Sequence, residues 1–119
     1  MRYPEFLKKN GCIGFVAPSF GCNIEPYKTA FGHALDKFKK MGYRTELGPN
    51  CYKGCGIGIS NTPEKCGQEL MEYYCNDTSD VLISCGGGEL MCEDLPYVDF
   101  EKIVRQNQNG IWAIQTIRT

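Results

Sequence analysis

Apolar residues along this chain follow two rhythms. CIGFVA, from Cys12 to Ala17, is an unbroken apolar run that ends at Pro18-Ser19. Such a run closed by a turn signal predicts a strand buried on both faces, as in a parallel sheet. From Glu25 to Met41 the apolar residues fall at Tyr27, Phe31, Ala34, Leu35, Phe38 and Met41. That spacing predicts a helix with one face turned to the sheet. Pro26 suits its first turn and Gly42 its stop. YRTEL then predicts a short second strand, and the glycine-rich stretch from Gly48 to Ser60 a loop. Thr62-Pro63-Glu64 opens a second helix, with Thr62 as cap and Pro63 in the first position. Cys66, Leu70, Met71 and Tyr74 form its buried face. Asp80 leads into a third strand, VLISC, followed by Gly86-Gly87-Gly88. A helical turn over Leu90 to Asp94 and a linker then enter a helix at Asp99.

The order β-α-β-α-β-α, with crossovers long enough to be right-handed, predicts the α/β class: a parallel sheet with helices on both faces. Ligands of such sheets gather at the carboxyl ends of the strands. Two loops lie there, Ala17-Pro18-Ser19 and the turn from Gly86 to Glu89.

Composition narrows the classes. With 119 residues there is room for one domain, and a net charge of −1 with no basic stripe points away from nucleic acid. Lys37, Lys39 and Lys40 fall where a helix should end, where they complement its dipole. No N-terminal apolar region reads as a signal peptide, and no run is long enough to span a membrane. The expected location is therefore the cytoplasm, with no membrane partner. Eight cysteines are scattered roughly one per element, with no CxxC pair; Cys51 and Cys55, in the glycine-rich loop, are the only close pair. In that compartment they read as reduced thiols used as small hydrophobes. Neither a structural zinc nor a cofactor is expected.

Candidate chemistry is sparse. The glycine turn can approach a ligand closely and turn its N–H groups outward. It lacks GxGxxG spacing, and Glu89 beside it would repel phosphate. Oxyanion or substrate-carbonyl donation from Gly86, Gly87 and Gly88 fits better; the alternative is a tight turn with no ligand. Cys85 stands at a strand end like a nucleophile, but Ile83 occupies the position where the elbow pattern wants glycine, and no downstream histidine exists to activate it. His33, the sole histidine, lies on the polar side of its helix. Ser19 has no recognisable base after it.

IGFVAPS, SNTPEKCGQEL and above all ISCGGGELMCEDLPYVDFEKI resemble the N-terminal domain of the LD-carboxypeptidase family of serine peptidases, which includes the microcin C immunity proteins. The resemblance covers nearly all of residues 11 to 105. It implies a three-layer, flavodoxin- or amidotransferase-like domain, followed in relatives by a C-terminal domain missing here. It also implies a peptide or muropeptide substrate, no cofactor, and room for homodimers among full-length relatives. The family's serine sits in a Gly-Tyr/Phe-Ser-Asp-x-Thr motif shortly after the stretch matching DFEKI, and its glutamate and histidine come from the second domain. None of these has a counterpart in this chain, so no catalytic residue is carried over.

The tail suggests why. Reverse-translated with suitable synonyms and shifted by one base, Gln108 to Arg118 encodes Pro-Lys-Trp-Tyr-Met-Gly-Tyr-Ser-Asp-Asn-Thr. The expected organisation is therefore residues 1–107 as the family domain and 108–119 as an out-of-frame tail. The implied activity is hydrolysis of amide bonds in muropeptides or peptide–nucleotide conjugates, absent from this chain alone. Two other classes stay open: a non-catalytic binding module for peptides or cell-wall fragments, and an amidotransferase-like enzyme using Cys85.

Overall fold

A computed structural model describes residues 7–56, 59–75, 79–87, 90–105 and 110–112. Four parallel strands stand in the order β2-β1-β3-β4: β1 (Cys12–Val16), β2 (Arg44–Leu47), β3 (Val81–Ser84) and β4 (Gly110–Trp112). The helices are α1 (Tyr27–Lys40), α2 (Pro63–Cys75) and α3 (Phe100–Arg105), and a 3-10 segment runs from Leu90 to Tyr97. Placing β1 at the centre explains its unbroken apolar sequence, because all five of its residues are buried.

Strand side chains alternate between the two faces of the sheet. Ile13 and Phe15 of β1 join Val81 and Ile83 of β3 on the α1 side, where Phe31, Leu35 and Phe38 pack. Val16 and Leu82 point the other way, into Leu70 and Tyr74 of α2, with Val98 and Ile103 beyond. The expected α/β fold with helices on both faces is thus the observed one.

The predicted helices are present, with corrections. Lys65 N–H reaches the Thr62 hydroxyl at 3.4 Å, so Thr62 caps α2 as expected. The three lysines occupy the last turn of α1. The buried stripe of α1 is narrower than its apolar spacing suggests: only Phe31 is buried, while Tyr27 and Met41 are exposed. Tyr27 is the first residue of α1 and Met41 caps its end. The presumed linker after Asp94 is not open chain, because the 3-10 segment continues through Pro96 to Tyr97. Asp99 then caps α3 by accepting from Lys102 N–H at 3.1 Å. β4, at the start of the tail's apolar run, adds a fourth strand beyond the β-α-β-α-β-α order. It pairs in register with β3, Leu82 facing Ile111.

Candidate functional site

The carboxyl edge of the sheet carries both loops singled out by sequence. After β1 the chain passes through buried Ala17 and Ser19. After β3, Cys85 N–H donates to Val16 O at 2.9 Å, which ties the start of the glycine turn to the end of β1. The two loops touch at Gly86, where a Cβ would lie 2.7 Å from Phe20 O and 3.1 Å from its ring. Glycine is needed at this position because Phe20 fills the space of a side chain. Gly87 follows half-buried on the same edge, and among the described residues its N–H makes no hydrogen bond. Gly88 and Glu89 lie outside the described residues.

The remaining candidates do not assemble into a nucleophile and base. Ser19 is 2% exposed and its hydroxyl has no hydrogen-bond partner among the described residues. His33 is exposed on α1. Cys85 lies in a group of three thiols, one from the loop after each of β1, β2 and β3. Cys22 Sγ donates to Cys85 O at 3.2 Å, and Cys51 Sγ donates to Phe15 O at 3.2 Å. The Cys85 thiol is left with long contacts to Phe20 O at 3.7 Å and Cys51 O at 3.8 Å. The hydrogen bond with the Cys51 thiol, and then burial, push Cys85 far above the ordinary thiol range. Burial pushes Cys22 up to about 12. These are protonated thiols with no imidazole beside them, the opposite of an activated cysteine. Among the described residues no cluster of histidine, cysteine and carboxylate could hold a metal ion.

Sequence reasoning missed Glu69. This residue is 2% exposed, and its carboxylate accepts from Ala17 N–H at 2.6 Å and Asn50 N–H at 2.7 Å. It thereby fixes the loop after β1 to the loop after β2. Beside it, Ser60 Oγ donates to Ala17 O at 2.7 Å and meets Cys66 Sγ at 3.3 Å. Burial raises the Glu69 pKa more than the two N–H donors lower it. The spacing held a signal: Glu69 lies three positions after Cys66 and one before Leu70, on the buried stripe of α2.

Residues 13–112 match the LD-carboxypeptidase N-terminal domain family. The chain belongs to that family, as its motifs suggested. Among curated proteins none matches. Solved structures share the fold. The microcin C7 self immunity protein MccF, in complex with aspartyl sulfamoyl adenosine, is 24% identical, with a TM-score of 0.78 over 88% of this chain and 30% of its own. An MccF-like protein from Bacillus anthracis str. Ames is 18% identical, with a TM-score of 0.77 over 88% of this chain and 31% of its own. An MccF-like protein from Streptococcus pneumoniae, in complex with AMP, is 21% identical, with a TM-score of 0.71 over 86% of this chain and 30% of its own. The chain therefore spans less than a third of the length of each. Among the described residues no helix is long and apolar enough to cross a membrane.

Proposed function

We propose that this chain corresponds to the N-terminal portion of a cytoplasmic serine LD-carboxypeptidase-like peptidase and is inactive by itself. The substrates of the complete enzyme are muropeptides or peptide–nucleotide conjugates, cleaved at an amide bond. The observation that carries this reading is the family match over residues 13–112, joined to a carboxyl edge without an activated nucleophile. The aminoacyl sulfamoyl adenosine held by MccF favours an aminoacyl or peptidyl substrate. The glycine turn supplies the oxyanion donors. Phe20 already occupies the open side of Gly86, so the donor role falls on Gly87 and Gly88.

Residues 108–119 are the out-of-frame remnant of the segment that carries the family's serine. In frame, that segment is the parallel strand beside β3, and its serine emerges at the same edge as the turn. Two assays on an L,D-muropeptide and on aspartyl sulfamoyl adenosine test the reading. The purified chain gives no turnover, because losing a catalytic triad member removes several orders of magnitude of rate. One base restored near the codons for Asn107 and Gln108, with the downstream sequence read on, gives an active hydrolase. In that protein Gly87→Val lowers turnover by about 10²-fold or more, the cost of one oxyanion donor, while melting changes little. Turnover by the unrestored chain, or none after restoration, refutes the proposal.

A further inference from the structure

The face of the sheet covered by α2 holds a second buried carboxyl group, and it is bonded quite differently from Glu69. Asp94, in the 3-10 segment, is 1% exposed. Neither of its carboxyl oxygens has a hydrogen-bond partner among the described residues. The segment is pressed closely onto α2 at Gly67, where a Cβ would come within 2.6 Å of Tyr97 Cβ and 3.3 Å of Asp94 O. From α2, Glu69 acts on Asp94 electrostatically, and from its own segment Glu93 does so, while Asp94 in turn raises the Cys66 thiol of α2. Glu72 and Lys53 act on Glu69 in turn. The charges acting directly on Asp94 are thus both negative.

We propose that Asp94 is a pH-sensitive latch: protonated, it lets the segment Leu90–Tyr97 dock on α2, and ionised, it drives the segment off. An ionised carboxylate without a donor is among the costliest groups to bury. Release into water supplies the missing hydrogen bonds and separates Asp94 from Glu69. The segment leads directly out of the glycine turn, so the latch also governs how firmly that turn is held. This inference needs no substrate and stands apart from the peptidase reading.

Burial, followed by Glu93 and Glu69, raises the Asp94 carboxyl to about 7 from an ordinary 3.8. A raised carboxyl favours the docked state at low pH. The docked segment is held most firmly below about pH 4, where docked and released forms are both protonated. It loosens about tenfold per pH unit as pH rises toward 7, and above that the effect is flat.

Hydrogen exchange at the amides of Leu90–Tyr97, from pH 5 to pH 8 on the whole chain, tests the latch against Asp94→Asn. Dividing the opening constant of the natural chain by that of the variant removes the pH dependence the two share and leaves the titration of Asp94 with its coupling to Glu69 and Glu93. The ratio is expected to rise by at least fivefold between pH 5 and pH 7 and then level off; a smaller rise overturns the latch. If Asp94→Asn does not fold, the side-chain carboxyl carbon of Asp94 is titrated by NMR in the natural chain. A midpoint above pH 6 sustains the proposal, and one at or below pH 6 overturns it.

Discussion

The two faces of the sheet are built from the same strands yet hold different chemistry. On the α1 face, Ile13 and Phe15 meet aromatic rings and the thiols of Cys22, Cys51 and Cys85. Phe15 packs edge-on against Phe31 with ring centroids 5.3 Å apart. Its polar atoms are weak sulfur donors whose protons go to carbonyls in their own neighbourhood. On the α2 face, Val16 and Leu82 seal a compartment beside which Ser60, Cys66, Glu69 and Asp94 are buried. Strand alternation decides which face a side chain joins. It does not decide how a polar group on that face will be satisfied. Glu69 shows a buried carboxylate employed as a two-armed tie between loops, and Asp94 shows one left without donors. The α2 face should therefore be the more fragile under mutation and the α1 face the more forgiving.

The largest effect should come from Glu69→Ala. The change strips a charged acceptor from two buried N–H groups, those of Ala17 and Asn50. Leaving donors buried and unpaired costs about 1–3 kcal/mol each. A total loss of about 3–5 kcal/mol is expected from urea unfolding. Glu69→Gln should lie between, because its amide nitrogen must face one of the two donors. A loss below about 1 kcal/mol for Glu69→Ala would remove the tie from the account of the fold.

Next in size is a paired comparison across β3. Leu82 is fully buried against α2, and its neighbour Ile83 is half-buried on the α1 side. Leu82→Ala should cost about 3 kcal/mol, within the usual range for a buried leucine. Ile83→Ala should cost about half of that, because part of its surface is already in water. Equal losses at the two positions would erase the asymmetry between the faces.

The asymmetry also marks how far the sequence could be read. The apolar run at Cys12–Ala17 announces a central strand because burial on both faces demands it. The cap at Thr62 and the stop at Gly42 are local chemistry, legible without tertiary structure, and both stand in the fold. The carboxyl-edge loops follow from the strand order alone. Glu69 was hidden by a rule that is right elsewhere: a carboxylate on a helix is read as solvated. Only the convergence of two backbone N–H groups from distant loops, 52 and 19 positions away in sequence, reverses it. Asp94 sits in ELMCEDLPYVDF, where no period separates inside from outside, so its burial depends on the packing of the 3-10 segment at Gly67. β4 stands outside the β-α-β-α-β-α order because three residues of strand exist through pairing with β3, which a local pattern does not encode.

The smallest effect is expected at Cys85, and it bears on chemistry as much as on stability. The thiol makes long contacts to Phe20 O and Cys51 O and a hydrogen bond with the Cys51 thiol, all through sulfur, a weak donor and acceptor, so its removal forfeits little hydrogen-bond energy. Cys85→Ala leaves Cys51 O with its other donor, the Cys22 N–H. It also opens a void of about one sulfur atom in a half-buried site. A loss of about 1 kcal/mol follows from the packing removed. A serine in its place should be no better, since a hydroxyl asks for a stronger partner than these distances supply. The same protonated state predicts sluggish alkylation at neutral pH. Iodoacetamide should label exposed Cys55 and Cys92 first and Cys85 well after them. Peptide mapping over time reads the order directly. Labelling of Cys85 ahead of both would mean that its thiolate is stabilised after all, and would reopen the cysteine-dependent enzyme as a reading of this fold.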